Sequence, residues 1–254
     1  MITILSPAKT LKMDKALNTN LYAQPLFIKE ASALMRELIK YSPPELEGLM
    51  KINSDLGEQN FKRHLSWKVE HNLLNGKQAL LAYDGAVFRG INANDFSQEQ
   101  LAFASVHLII FSGLYGALRP LDLVEPHRLE LGTKLKNRRG NNLYCFWEYK
   151  LTDFIKKELK EQKNNILIDL ASKEYSSVIN WSKINAKVIT PVFKDYKRGA
   201  HKVITIYAKR ARGLMTRFII QNSIDSPEEL KEFQEEGYFY NKHLSSDAEW
   251  VFTR

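Results

Sequence analysis

The chain has 254 residues, 44% hydrophobic and 26% charged, with a formal net charge of +8. This is the composition of a globular protein with one large core. No apolar run reaches the roughly 18–20 residues of a membrane helix, and a single cysteine, Cys145, excludes an internal disulfide and a cysteine-built zinc site. The cation excess favours a polyanionic partner, with nucleic acid first. The opening residues MITILSPAKT carry no basic segment and no long apolar stretch, so no signal peptide is expected there. A lone thiol fits a reducing compartment, and the expected location is the cytoplasm. Cys145, within Tyr144-Cys-Phe-Trp147, reads as a small buried hydrophobe.

Ile2–Leu5 is short and β-branched and reads as a strand, ending at Ser6-Pro7-Ala8-Lys9-Thr10. Lys9 there suits an anion as well as it suits solvent. Pro25–Tyr41 reads as a helix, because Leu26, Ala31, Leu34, Met35, Leu38 and Ile39 recur near a 3.6-residue period and Pro25 fits the first turn. Pro43-Pro44 closes it and opens Glu45–Ile52. Leu46–Gly57 then reads as helix, tight turn and helix, the second helix carrying Asn60, Lys62, Arg63 and His64. This is similar to a helix-hairpin-helix, whose hairpin amides grip a DNA phosphate, with Lys51 beside them. Met50-Lys51-Ile52-Asn53 stands where that motif has glycines, and an ordinary helical hairpin fits equally well. Of the two polar residues, asparagine is the better suited to a left-handed backbone.

Gln78–Tyr83 reads as a strand before the Asp84-Gly85 turn, with Ala86–Arg89 as its hairpin partner or the next connection. Ser97 and Gln100 have capping-box spacing, so a helix begins there. Val106–Phe111 is a buried strand that empties into Ser112-Gly113 and Gly116, followed by Arg119, Asp122, Glu125, His127, Arg128 and Glu130. An α/β protein places a site in such a stretch; a structural turn rich in salt bridges is the alternative. Lys134–Arg139 is a basic loop. Cys145–Glu161 is a helix with Phe146, Leu151, Phe154, Ile155 and Leu159 inward. Ile166–Leu170 is a buried strand running into Ala171-Ser172-Lys173-Glu174-Tyr175. Lys187–Phe193 and Val203–Tyr207 read as strands joined by Lys194–Gly199. Ser226-Pro227-Glu228-Glu229 starts a helix, and Tyr238–Tyr240 and Glu249–Phe252 read as closing strands.

The charge gathers between Lys194 and Arg217, with eight cations against Asp195 alone. On the Ala208–Asn222 helix, Ala211, Leu214, Met215, Phe218 and Ile219 share one face, and Lys209, Arg210, Arg212 and Arg217 the other. Gly213 and Thr216 fall among the arginines and leave room for a backbone or a ligand. The helix face carries no carboxylate for i,i+4 pairing, so a polyanion is the expected partner. Strands interleave with helices throughout. The expectation is a mixed α/β (α+β) fold, a mixed central sheet flanked by helices, in one domain over 1–254 with a helical subregion at about 25–66. No Walker A loop, GxGxxG or G-x-S-x-G occurs. Ser112, His127 and Asp122 offer a Ser-His-Asp set of the kind chance supplies in any chain this long. Six histidines form no paired Glu-x-x-His pattern, which argues against iron storage.

Ser6-Pro-Ala-Lys-Thr10, Ser112-Gly-Leu-Tyr-Gly116 with Leu118-Arg-Pro-Leu-Asp122, Tyr144 with Phe146-Trp147, Leu170-Ala-Ser172 with Glu174-Tyr175, Tyr207-Ala-Lys-Arg-Ala-Arg-Gly213 and Glu236-Gly-Tyr-Phe239 occur in that order. Together they resemble the YaaA family of bacterial peroxide-stress proteins. The resemblance implies a fold particular to the family and a cytoplasmic role in the hydrogen-peroxide response. It also implies limited iron-driven damage, and DNA binding of low sequence preference through a basic cleft and a helix-hairpin-helix-like element. No cofactor, metal ligand, membrane or protein partner is implied.

The expected nucleic-acid contacts are Lys9, Lys51, Arg119, Arg128, Lys209, Arg210, Arg212 and Arg217. The expected pocket is Ser6, Ser112, Tyr115, Glu130, Ser172 and Tyr175, with Tyr115 or Tyr175 stacking an unpaired base. The competing expectation is an enzyme on a nucleic-acid base or nucleotide. In it Asp122 and Glu174 are the catalytic carboxylates beside Arg119 and Lys9.

Overall fold

Residues 1–14 and 19–254 are described by the computed structural model. Strands β1 (Ile2–Leu5) and β2 (Thr10–Leu11) lead to helices α1 (Ile28–Leu38), α2 (Pro43–Met50) and α3 (Ser54–Ser66). Next come β3 (Lys77–Gln78), the single turn α4 (Ala79–Ala82), β4 (Tyr83–Asp84), α5 (Ala86–Ile91) and α6 (Gln98–His107). Then β5 (Leu108–Ser112), β6 (Gly116–Leu118) and β7 (Leu123–Val124) precede the long helix α7 (Leu143–Lys160). After β8 (Ile166–Asp169) and the short α8 (Lys173–Ser176) come β9 (Lys187–Lys197), β10 (Ala200–Lys202) and α9 (Thr205–Gln221). The last strands are β11 (Phe239–Tyr240) and β12 (Glu249–Thr253).

The main sheet has the order β11-β12-β9-β8-β1-β5-β6, with β10 folded back on the end of β9. From β12 to β5 the strands are parallel, and antiparallel β11 and β6 close the two edges. Every residue of β1 and β5 is buried, as expected of parallel strands covered on both faces, which read as unbroken apolar runs. In β9, Ile189, Pro191, Phe193 and Asp195 alternate inward, so that end of the sheet has one covered face. The chain builds β5 on one side of β1, then crosses to set β8 on the other. This reversal opens a crevice beyond the carboxyl ends of β1 and β8, where open α/β sheets hold ligands.

The fold class is as expected, and several local features differ. The first helix starts at Ile28, not Pro25, and leaves Leu26 and Ile39 exposed, because the turn closed from Pro25 O to Ile28 N precedes it. The Gln78–Tyr83 run is broken. Its fully buried centre turns helical at α4, and only its ends pair, β3 with β7 and β4 with β2. Ala86–Arg89 belongs to a helix. The helical hairpin α2–α3 is present, opened by a Ser42–Glu45 capping box, and Asn53 caps α3 through Leu56 N. Lys51, not Asn53, takes the left-handed backbone (φ 53°).

Val203–Tyr207 is not a strand. Arg198 and Gly199, both at positive φ, turn β9 into β10 earlier, and the helix starts at Thr205. Cys145 is exposed: it sits in the first turn of α7, where Phe146 and Trp147 take the inward face. Gly213 receives a neighbouring helix and not a ligand. A Cβ there would lie 2.0 Å from Val87 O on α5 and 3.1 Å from Gly90 Cα.

Candidate functional site

A cavity of about 680 Å³ occupies the crevice. Five stretches line it: Ser6–Thr10 after β1, Tyr83–Arg89 from β4 into α5, His127–Glu130, Leu170 with Ser172–Tyr175 after β8, and Lys209 with Arg212 from α9. Ser112, at the end of β5, completes it. Side-chain hydrogen bonds fix the loop ends. Ser6 Oγ donates to Ser172 Oγ (3.1 Å) and accepts from Ser172 N (2.7 Å), tying β1 to β8. Glu174 Oε1 accepts from Gly132 N at 2.9 Å.

The charges sort into paired and unpaired. Glu130 bridges Lys9 (2.7 Å) and Arg128 (2.9 Å), so those three carry a net single positive charge. Asp84 faces Arg89 and Lys12, both at 3.3 Å. Lys173, Lys209 and Arg212 have no carboxylate in ion-pair reach among the described residues. Arg212 is only partly exposed, and burial pulls its pKa below the ordinary value. Asp169, held by Ala171 N and Ser176 Oγ, acts on Arg212 through its charge but forms no ion-pair contact with it. A partly buried guanidinium with no carboxylate in contact is costly, and the cavity, with Lys173 and Lys209 also outside ion pairs, is net positive.

His127 adds an uncharged polar edge. Its Nδ1 lies 2.8 Å from Glu125 O, and burial lowers its pKa to about 4. Behind it, fully buried Tyr115 accepts hydrogen bonds from Trp67 Nε1 (3.0 Å) and Glu125 N (3.2 Å) and meets His71 Nε2 at 2.9 Å. Two of the three donor–acceptor groups around Tyr115 Oη are N–H donors, so its hydroxyl proton points to His71. Burial raises the phenol pKa of Tyr83 and Tyr175 as well as Tyr115, keeping all three neutral.

Of the residues expected at the site, the structure gathers Ser6, Lys9, Ser112, Arg128, Glu130, Ser172, Glu174, Tyr175, Lys209 and Arg212 around this cavity. Six others lie elsewhere. Arg217 forks onto Asp95 (both contacts 2.8 Å) and reaches the carbonyls of Ile91 and Asn92. Arg210 pairs with Glu236, and Arg119 with Glu158. Lys51 is an exposed residue of the helical hairpin. Tyr115 is fully buried and cannot stack a base. Asp122 is 3% exposed and holds the turn before β7 by accepting from Arg119 N at 2.8 Å, so it and Glu174 do not face one space. The basic face of α9 is therefore split, with Lys209 and Arg212 serving the cavity while Arg210 and Arg217 serve packing. Residues that sequence reasoning did not assign to the pocket include Tyr83, Asp84, Phe88, Arg89 and Lys173. The Asp84-Gly85 turn after an apolar run was the signal available for the first four.

Residues 1–244 match the family described as peroxide stress protein YaaA. The chain belongs to this family. Within it, the chain is 44% identical over all 254 residues to a "UPF0246 protein" of Colwellia psychrerythraea (strain 34H), covering 99% of that relative. Two further relatives, each likewise named "UPF0246 protein", from Janthinobacterium sp. (strain Marseille) and Cellvibrio japonicus (strain Ueda107), are 43% and 45% identical over 254 residues, each covered to 98%. Among the described residues, no helix is long and apolar enough to cross a membrane, and no group of three or more metal-binding side chains occurs.

Proposed function

We propose that, within the peroxide-stress role of its family, the protein binds DNA by the phosphate backbone at this cavity, with little sequence preference. DNA held there is to be spared iron-driven oxidation. The observation that carries the reading is the pair Lys209 and Arg212, one helical turn apart on α9, both on the cavity and neither in an ion pair among the described residues. Two phosphates spaced along a strand satisfy such a pair; phosphate contacts give affinity and carry no sequence information.

The test is fluorescence anisotropy of a labelled duplex across a salt series. Each neutralised phosphate contact contributes about −0.9 to the slope of log affinity against log salt. Lys209→Gln with Arg212→Gln is expected to flatten the slope by roughly 1.8. Arg210→Gln, which removes a cation already paired with Glu236, is expected to leave it unchanged. Equal losses in both proteins, or no loss in either, refute the assignment.

A further inference from the structure

The cavity is larger than a phosphate contact needs, and its volume is that of pockets that enclose a whole small ligand. His127 contributes to its lining in one defined state. Its Nδ1 faces the Glu125 carbonyl at 2.8 Å, and a carbonyl only accepts, so Nδ1 carries the proton. The ring is neutral at physiological pH because burial opposes its charging. Nε2 therefore bears a lone pair, and no described residue donates to it.

Two hydroxyls accompany it. Tyr83 Oη sits beside Ser112 Oγ without the geometry of a formed hydrogen bond, and Ser112 Oγ itself accepts from Tyr115 N at 3.2 Å. Phe88 and Tyr175 supply aromatic wall, and Lys209 and Arg212 supply charge to the same space.

We propose that the cavity receives one nucleotide unit, its phosphate on Lys209 and Arg212 and an N–H of its base on His127 Nε2. The phosphate half rests on the DNA-binding reading above; the base half rests on the geometry of His127. Every nucleobase presents an N–H donor on its pairing edge, and Watson–Crick pairing consumes it. An acceptor left without a donor on the cavity wall therefore favours an unpaired nucleotide without selecting its sequence. The same chemistry is met by a free mononucleotide or by a nucleotide turned out of a strand, the latter at the cost of unstacking.

The experiment uses full-length protein with ¹⁵N-labelled histidine, the His127 signals being assigned by His127→Gln. It is titrated separately with the four deoxynucleoside monophosphates, a fully paired duplex, and a duplex with one unpaired central nucleotide. Accepting a hydrogen bond moves the Nε2 resonance upfield. Movement with the mononucleotides identifies free nucleotide as a ligand, and movement only with the unpaired-nucleotide duplex identifies the extruded source. His127→Phe is expected to weaken the duplex carrying the unpaired nucleotide by about tenfold, leaving the paired duplex unchanged.

An Nε2 signal unmoved by all four mononucleotides and by the unpaired duplex overturns the proposal, whether or not the His127→Phe protein folds. Anisotropy on the same samples separates the two readings. DNA bound with Nε2 unmoved leaves backbone binding standing and removes the base contact. Nε2 moved by mononucleotides with no duplex bound does the reverse.

Discussion

Gly213→Ala tests the helix crossing that carries the cavity's cations. Gly213 lies inside α9, where exchanging glycine for alanine gains about 0.5–1 kcal/mol of helix propensity. Packing opposes that gain. The added Cβ would stand 2.0 Å from Val87 O, and the facing Gly90 is also tight, with its own Cβ position 2.6 Å from Arg210 O. Both contacts are with backbone, so no side chain can swing aside, and the helices must part by about 1 Å. Overpacking of this kind costs about 1–3 kcal/mol, toward the upper end where backbone has to move. The expected net destabilisation is about 1–2 kcal/mol, read as a lower urea midpoint at unchanged m, or a fall of about 2–4 °C in Tm per kcal/mol. DNA affinity is expected to fall with it, because α5 and α9 each wall the cavity. A variant more stable than the parent, by the amount propensity alone supplies, would refute the close crossing.

Three further outcomes follow from the buried polar groups. Burial raises the pKa of Asp122 to about 6, above its unfolded value. The native state thus binds the extra proton, and stability contributed here falls as pH rises from about 4 to 6; Asp122→Asn is expected to flatten that fall, on the order of 3 kcal/mol, in denaturant titrations across the range. His64 is depressed to about 4 mainly by burial, with neither ring nitrogen bonded, so its effect has the opposite sign and stability is lost as pH falls from about 6.5 to 4. His64→Leu is expected to raise the urea midpoint more at pH 5 than at pH 7, and a drop at pH 5 would show that the ring is hydrogen-bonded. Arg217→Ala is expected to cost about 1–2 kcal/mol through loss of the Ile91 and Asn92 carbonyl contacts, while leaving the salt slope of DNA binding intact.

The sheet was legible because its signals are local. Ile2–Leu5, Val106–Phe111 and Ile166–Leu170 are apolar runs of strand length, and each supplies a central strand, although Val106 and His107 end helix α6 and the strand begins at Leu108. The Ser97–Gln100 capping box and the inward residues of α7 were likewise written within a few positions of one another. Val203–Tyr207 misled because its β-branched residues have strand propensity, whereas packing of α9 on α5 decides for helix from Thr205. The pairing of the arginines was the largest gap. The carboxylates that occupy Arg210, Arg119 and Arg217 lie 26, 39 and 122 positions away in the chain. A helical wheel shows which cations share a face, and cannot show which are already neutralised. The same distance hid the division of α9 between cavity and scaffold.

The stretches that make the cavity begin at Ser6 and end at Arg212. A chain lacking α9 has the three central strands β1, β5 and β8 but lacks two of the cavity's three cations that stand outside ion pairs, Lys209 and Arg212. On the proposed reading, affinity for an anion therefore depends on α9 being docked against the strands. An anion bound as proposed would clasp the loop after β1 to α9. Its occupancy should then delay global unfolding by mass action, about 2.7 kcal/mol at a hundredfold excess over Kd.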